Sequence, residues 1–116
     1  MFERRQRLKE VIKREVAQII EREIDFGKDV LVSVSRVEIT PDLSEAKVFI
    51  SALPDDSLEE AMRFLKRKIG FIQKSLNKIV NIKRTPKLVF VEDKSLKKMA
   101  RIEELLEKIK KEKRAP

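Results

Sequence analysis

Nine Lys or Arg residues and no Asp or Glu lie between Ala61 and Val91: Arg63, Lys66, Arg67, Lys68, Lys74, Lys78, Lys83, Arg84 and Lys87. The whole chain holds 28 basic and 20 acidic residues, net +8, so without this window 19 bases face 20 acids. The positive charge is therefore local. A concentrated cationic surface suits a polyanion, because each neutralised phosphate releases condensed counterions. Residues 21–60 carry 11 acids and 4 bases, and this two-sidedness should orient the molecule as it approaches such a partner.

Other chemistries are poorly supplied. The chain has no His, so the commonest acid/base group and metal ligand at neutral pH is missing. It has no Cys, which excludes disulfides, thiolate metal sites and Cys-His catalysis. Its only glycines are Gly27 and Gly70, too few for a Gly-rich phosphate loop. No pair of carboxylates or lysines stands out as catalytic. The expectation is a binding protein, not an enzyme, with no cofactor, no metal and no small-molecule substrate. No apolar run approaches 18 residues, and residues 1–10 lack the apolar stretch of a signal peptide. A monomeric cytoplasmic protein without membrane contact is expected.

The elements that position the cations follow from periodicity. Leu8, Val11, Ile12, Val16, Ile19, Ile20 and Ile24 mark one face of a helix from about Glu3 to Ile24, with Gly27 as a stop signal. Val30, Val32 and Val34 alternate, then the phase slips to Val37 and Ile39, which predicts a strand with a β-bulge near Ser35-Arg36. Thr40-Pro41-Asp42-Leu43 has turn chemistry and leads to a second strand marked by Ala46, Val48, Ile50 and Ala52. Ser57 and Glu60 stand at capping-box spacing. Leu58, Met62, Leu65, Ile69, Ile72, Leu76 and Ile79 then follow at alternating steps of four and three. That pattern argues one unbroken helix; Gly70 inside it argues a break or kink. Leu88-Val89-Phe90-Val91 suits a buried strand, apolar on both faces. Asp93 or Ser95 can cap a last helix with Leu96, Met99, Ile102, Leu106 and Ile109 on one side. Residues 1–109 form one two-layer α+β domain on this reading, and 110–116 a basic, disordered tail.

On a helical wheel, Arg63, Lys66, Arg67, Gly70, Lys74, Asn77, Lys78 and Asn81 lie within about 60° of one direction, opposite the apolar stripe. An ordinary solvated face mixes both signs and gains from i,i+4 pairs; this one gives up that gain. The expected RNA-binding residues are Arg63, Lys66, Arg67, Gly70, Lys74, Lys78, Arg84 and Lys87. Phe64 and Phe71, seven apart on one flank, could stack on bases but are read as widening the core stripe. With no Tyr or Trp and 5% aromatics, recognition of backbone and shape is the expected mode. The N-terminal cations, from Arg4 to Arg14, are read as ordinary solvated charge. A basic protein-interaction module meeting an acidic partner is the alternative.

Two segments carry a resemblance. Val37-Glu38-Ile39-Thr40-Pro41-Asp42-Leu43-Ser44-Glu45-Ala46-Lys47-Val48-Phe49-Ile50-Ser51 and Arg84-Thr85-Pro86-Lys87-Leu88-Val89-Phe90-Val91-Glu92-Asp93-Lys94-Ser95 resemble the bacterial ribosome-binding factor A family. The likeness runs from the first helix to about Ile109. It implies a type II KH-like fold, helix-strand-strand-helix-(kink)-helix-strand plus a C-terminal helix, with a three-stranded mixed sheet. The family's kink carries an Ala-x-Gly pattern; here Lys68 stands for the Ala, and Gly70 matches. Gln73 stands where the family often has Arg, and Asp25-Phe26-Gly27 replaces its Asp-Pro. The resemblance further implies a non-enzymatic assembly factor. It would bind the small ribosomal subunit and its ribosomal RNA, support late maturation and 5′-end processing of that RNA, and serve cold adaptation.

Overall fold

Helix α1 (Phe2–Glu23) buries Ile12, Val16, Ile19 and Ile20, the stripe its spacing predicts. It belongs to a computed structural model describing residues 2–27, 29–80, 84–94 and 102–110, with side chains from Arg4 onward. Beyond the helix, Gly27 takes φ +104°, and its amide donates to the Asp25 carboxylate at 2.9 Å. Only glycine adopts that backbone freely.

Strands β1 (Leu31–Ile39) and β2 (Glu45–Leu53) pair antiparallel. The register shifts between Val34 and Arg36, so Ser35 is the extra residue of the expected bulge. The bulge has a packing purpose. Val34 and Val37 sit an odd number of residues apart, yet both are buried, because Ser35 absorbs the change of face. The Ser35 hydroxyl lies 3.1 Å from the Phe49 carbonyl and 2.5 Å from the Asp93 carboxylate, tying the bulge to the residue after the third strand.

The β1–β2 turn is held by a small polar cluster. The Leu43 amide donates to the Thr40 carbonyl at 2.8 Å. The Thr40 and Ser44 hydroxyls donate to the Asp42 carboxylate at 2.7 and 2.8 Å, and the Ser44 amide at 3.2 Å. These bonds, the Thr40 hydroxyl first, favour the ionised form and lower the Asp42 pKa from its ordinary 3.8. Its stabilising effect is therefore complete above pH 3.8 and lost as pH falls through the lowered native value. A carboxyl titration followed by NMR should place the Asp42 midpoint below 3.8.

Strand β3 (Lys87–Glu92) pairs parallel with β2, giving the order β1-β2-β3. A parallel neighbour needs a crossover. It is made by α2 (Leu58–Arg67) and α3 (Ile69–Val80), entered through a 3-10 turn at Asp55–Ser57. The helices join Ala46, Val48, Ile50, Ala52, Leu88 and Phe90 in one core with Ile12, Leu65, Ile72 and Leu76. This is the α+β, three-stranded mixed-sheet architecture expected.

Three details differ from expectation, and a fourth decides between two expected readings. Ser57 makes no side-chain cap bond, because the 3-10 turn already holds it in helical geometry (φ −81°, ψ −11°), so the capping box does not form. Of the two readings of the long periodic segment the broken one holds, as the kink in the expected fold has it: α2 ends at Arg67, with Lys68 (φ −95°, ψ 5°) as its C-cap, two residues before Gly70. The break shifts the phase of α3, so Ile72 and Leu76 are buried, Val80 is partly buried, and Ile79 is 45% exposed. Strand β3 is an edge strand, buried through Leu88 and Phe90 on the helical face alone, while Val89 and Val91 are half-buried on the other. Residues 102–110 are helical, and Ile102, Leu105, Leu106 and Ile109 are exposed. The start expected for that helix, at Asp93–Met99, falls mostly outside the described residues. Lys110 ends its described part, and 111–116 also lie outside.

Candidate nucleic-acid interface

The two crossover helices bring the cations together. α2 is acidic in its first turn, at Glu59 and Glu60, and basic in its last, at Lys66 and Arg67, as its dipole favours. Helix electrostatics thus account for part of the basic cluster. They do not account for Lys74, mid-way along α3, whose first turn carries no acid. Arg63, Lys66, Arg67, Lys68, Gly70, Lys74 and Lys78 are all exposed. None of these six cations is in an ion pair among the described residues. Arg67 lies over the Phe64 ring, 5.5 Å from its centroid.

Arg63 and Lys66 also line an open groove between α2 and the β3 edge, which they share with Phe90, Val91 and Lys94 and with the acids Glu59 and Glu92. Glu59, Glu92, Asp93, Asp55 and Asp56 line the adjoining groove, so the cationic surface has an acidic border on that side. The unbroken positive stretch runs from Arg67 to Lys78.

The other two expected residues lie apart. Arg84 is exposed in the loop before β3. Lys87 is exposed at the start of β3, opposite Glu45. Strand alternation turns Lys87 away from buried Leu88, onto the sheet face that the helices leave open. Lys83 and Asn81 lie outside the described residues.

Gly70 is exposed, its φ is not positive, and an added Cβ would meet nothing within 4 Å. Neither the backbone nor internal packing requires a glycine there. Gly70→Ala should therefore stabilise the fold by up to about 1 kcal/mol through helix propensity. A thermal melt checks this, and weaker binding despite the gain would assign the missing side chain to a ligand's approach.

Sequence reasoning missed one positioning residue. The half-buried Gln73 amide donates to the Pro86 carbonyl at 3.1 Å and accepts from the Leu88 amide at 2.7 Å. It also donates to the Asn77 side chain at 3.0 Å. Gln73 thereby fixes α3 against the entry to β3. A lone glutamine beside an apolar stripe carries no sequence signal for such a role. Gln73→Ala should cost about 1–3 kcal/mol, since it leaves the Leu88 amide without a partner. Denaturant unfolding measures this.

Phe64 packs edge-on to Phe26 at 5.5 Å. Phe71 does not widen the core: it is 50% exposed. Among the described residues, no group of His, Cys, Asp or Glu could hold a metal ion, and no helix is long and apolar enough to cross a membrane.

Fold and surface together define a small α+β domain whose β2–β3 crossover, two helices broken at Lys68, presents a face that is cationic without interruption from Arg67 to Lys78. The family model described as Ribosome-binding factor A matches residues 4–106, and the chain belongs to that family. A Ribosome-binding factor A of Clostridium perfringens is 41% identical over 110 residues, covering 92% of this chain and 95% of the relative. The crystal structure of ribosome-binding factor A from Thermus thermophilus is similar at TM-score 0.66 and 27% identity, over 76% of this chain and 94% of that one. Also similar is a Thermus thermophilus homology model fitted into the cryo-EM map of a 30S–RbfA complex, at TM-score 0.62 and 26% identity, over 76% and 93% of the two chains.

Proposed function

We propose that this chain is a non-enzymatic assembly factor that binds the small ribosomal subunit by applying the α2–α3 face to its ribosomal RNA. The observation that carries the reading is the set of six exposed cations on the crossover, none of them in an ion pair among the described residues. Clustered cations without ion-pair partners cost self-repulsion, which a polyanion removes. Family membership and the relative fitted into a 30S complex support the choice of polyanion. In this reading a monomeric, KH-like domain works in the cytoplasm without a cofactor. It holds or excludes one RNA conformation until late maturation and 5′-end processing have proceeded, a need that grows in the cold.

The test is co-sedimentation of the purified chain with small subunits across a salt series. Six phosphate contacts predict a log–log slope of roughly −4 to −5. Excess RNA fragments should displace the chain. A nearly flat salt response, or binding that survives RNA competition and yields only to an acidic protein, would favour the protein-interaction reading.

A further inference from the structure

We propose that Phe71 is a stacking platform for an unpaired nucleobase, so that the cationic face takes single-stranded or bulged RNA in preference to continuous duplex. This rests on the RNA-binding reading above and adds a recognition element that backbone and shape contacts lack.

Every other described phenylalanine side chain has an internal role. Phe26 and Phe64 pack edge to face at 5.5 Å, and Phe90 is 4% exposed in the core. Phe49 lies beneath the Arg36 guanidinium, 4.1 Å from its ring centroid. Phe71 alone among them is half in water, and no ring or cation of the described residues lies against it.

A solitary exposed apolar residue is ordinary on a protein surface. Its setting separates Phe71 from that case. On α3 it points about 100° away from Ile72 and about 140° from Leu76, so it projects outward instead of lying at the core margin. Lys74 and Lys78 lie within about 60° of it, on the following two turns. Arg67 precedes it by one turn, across the break. The residue beside it, Gly70, has no side chain and no internal reason to lack one. A flat ring, bracketed by phosphate-seeking cations and with an open space alongside, is the arrangement in which bases stack while the backbone is neutralised. A base within duplex stacks on its neighbours and offers no free face; an unpaired one does.

The chain has no Trp and no Tyr, so Phe71→Trp installs a single fluorophore at the point in question. The probes are a ten-nucleotide oligoadenylate and a blunt RNA duplex of the same length. The oligoadenylate should quench the tryptophan emission at saturation; the duplex should bind through the cations and leave the emission nearly unchanged. Phe71→Ala and Phe71→Leu should each lower oligoadenylate affinity by about 5- to 100-fold, since leucine keeps apolar area but lacks a π face. Duplex affinity should stay within about twofold of native, and circular dichroism should report an unaltered fold. Silent emission on a saturated oligoadenylate complex, or native-like affinity of Phe71→Ala, would overturn stacking and leave the RNA-binding reading standing. Failure of the native chain to bind either probe at low salt would overturn both.

Discussion

Replacing Arg63, Arg67, Lys74 and Lys78 together by Glu should abolish small-subunit binding and leave the fold standing. All four side chains are exposed and none is in an ion pair among the described residues, so the native structure loses almost nothing. Among the described residues the interactions at stake are Arg67 over Phe64 at 5.5 Å, of a kind worth about 0.5–1 kcal/mol at exposed sites, and the favourable placing of Arg67 in the last turn of α2, worth about 0.3–1 kcal/mol. Binding loses four phosphate contacts and gains four repulsions in their place. An affinity loss on the order of 10³-fold or more follows near physiological salt. The same number of reversals at Arg4, Arg7, Lys13 and Arg14, exposed cations of α1, is the matched control. Co-sedimentation with small subunits separates the two sets. Unchanged sedimentation of the α2–α3 variant would remove the basis of the proposed function.

Leu65→Ala should be the most destabilising of the substitutions considered. Leu65 is fully buried in the last turn of α2, three residues before the break. Truncation there removes transfer free energy and leaves a cavity in a closely packed core, at a cost of about 2–5 kcal/mol. Against a typical total of about 5–15 kcal/mol, that is a large share. The melting temperature should fall by roughly 10–15 °C for a domain of this size. Ile79→Ala is the informative partner. In an unbroken helix Ile79 would continue the stripe through Leu65 and cost a similar amount. At 45% exposure, beyond a break that hands its place to Val80, it should cost under about 1 kcal/mol. Equal losses at the two positions would mean that the helix runs straight through.

Much of the architecture is legible along the chain because it is encoded locally. The face of α1, the strand alternation and the turn at Thr40–Leu43 depend on neighbours a few residues apart. The bulge at Ser35 is legible because a phase slip between Val34 and Val37 has one economical explanation in a strand. The Ala61–Val91 charge window needs only counting, and a helical period turns its first two-thirds into one face.

The break at Lys68 is a different kind of fact. Alternating steps of four and three suit a continuous helix, and the local cost of interrupting it is small, so periodicity has no vote of its own. The choice is made where the pieces dock: α2 against β2 and β3, and α3 against α1 with Gln73 clamped to the β3 entry. From that choice follows the exchange of Ile79 for Val80 in the core. Lys87 shows the same limit in the sheet. Alternation separates its face from that of Leu88, but only the packing of helices on one side decides which of those faces is covered. Residue order by itself determined where the charge is concentrated and which segments are helix or strand, because both are short-range properties. Which cations share a surface, and which aromatic ring stands free among them, was decided by tertiary docking, because it depends on contacts between elements far apart in the chain.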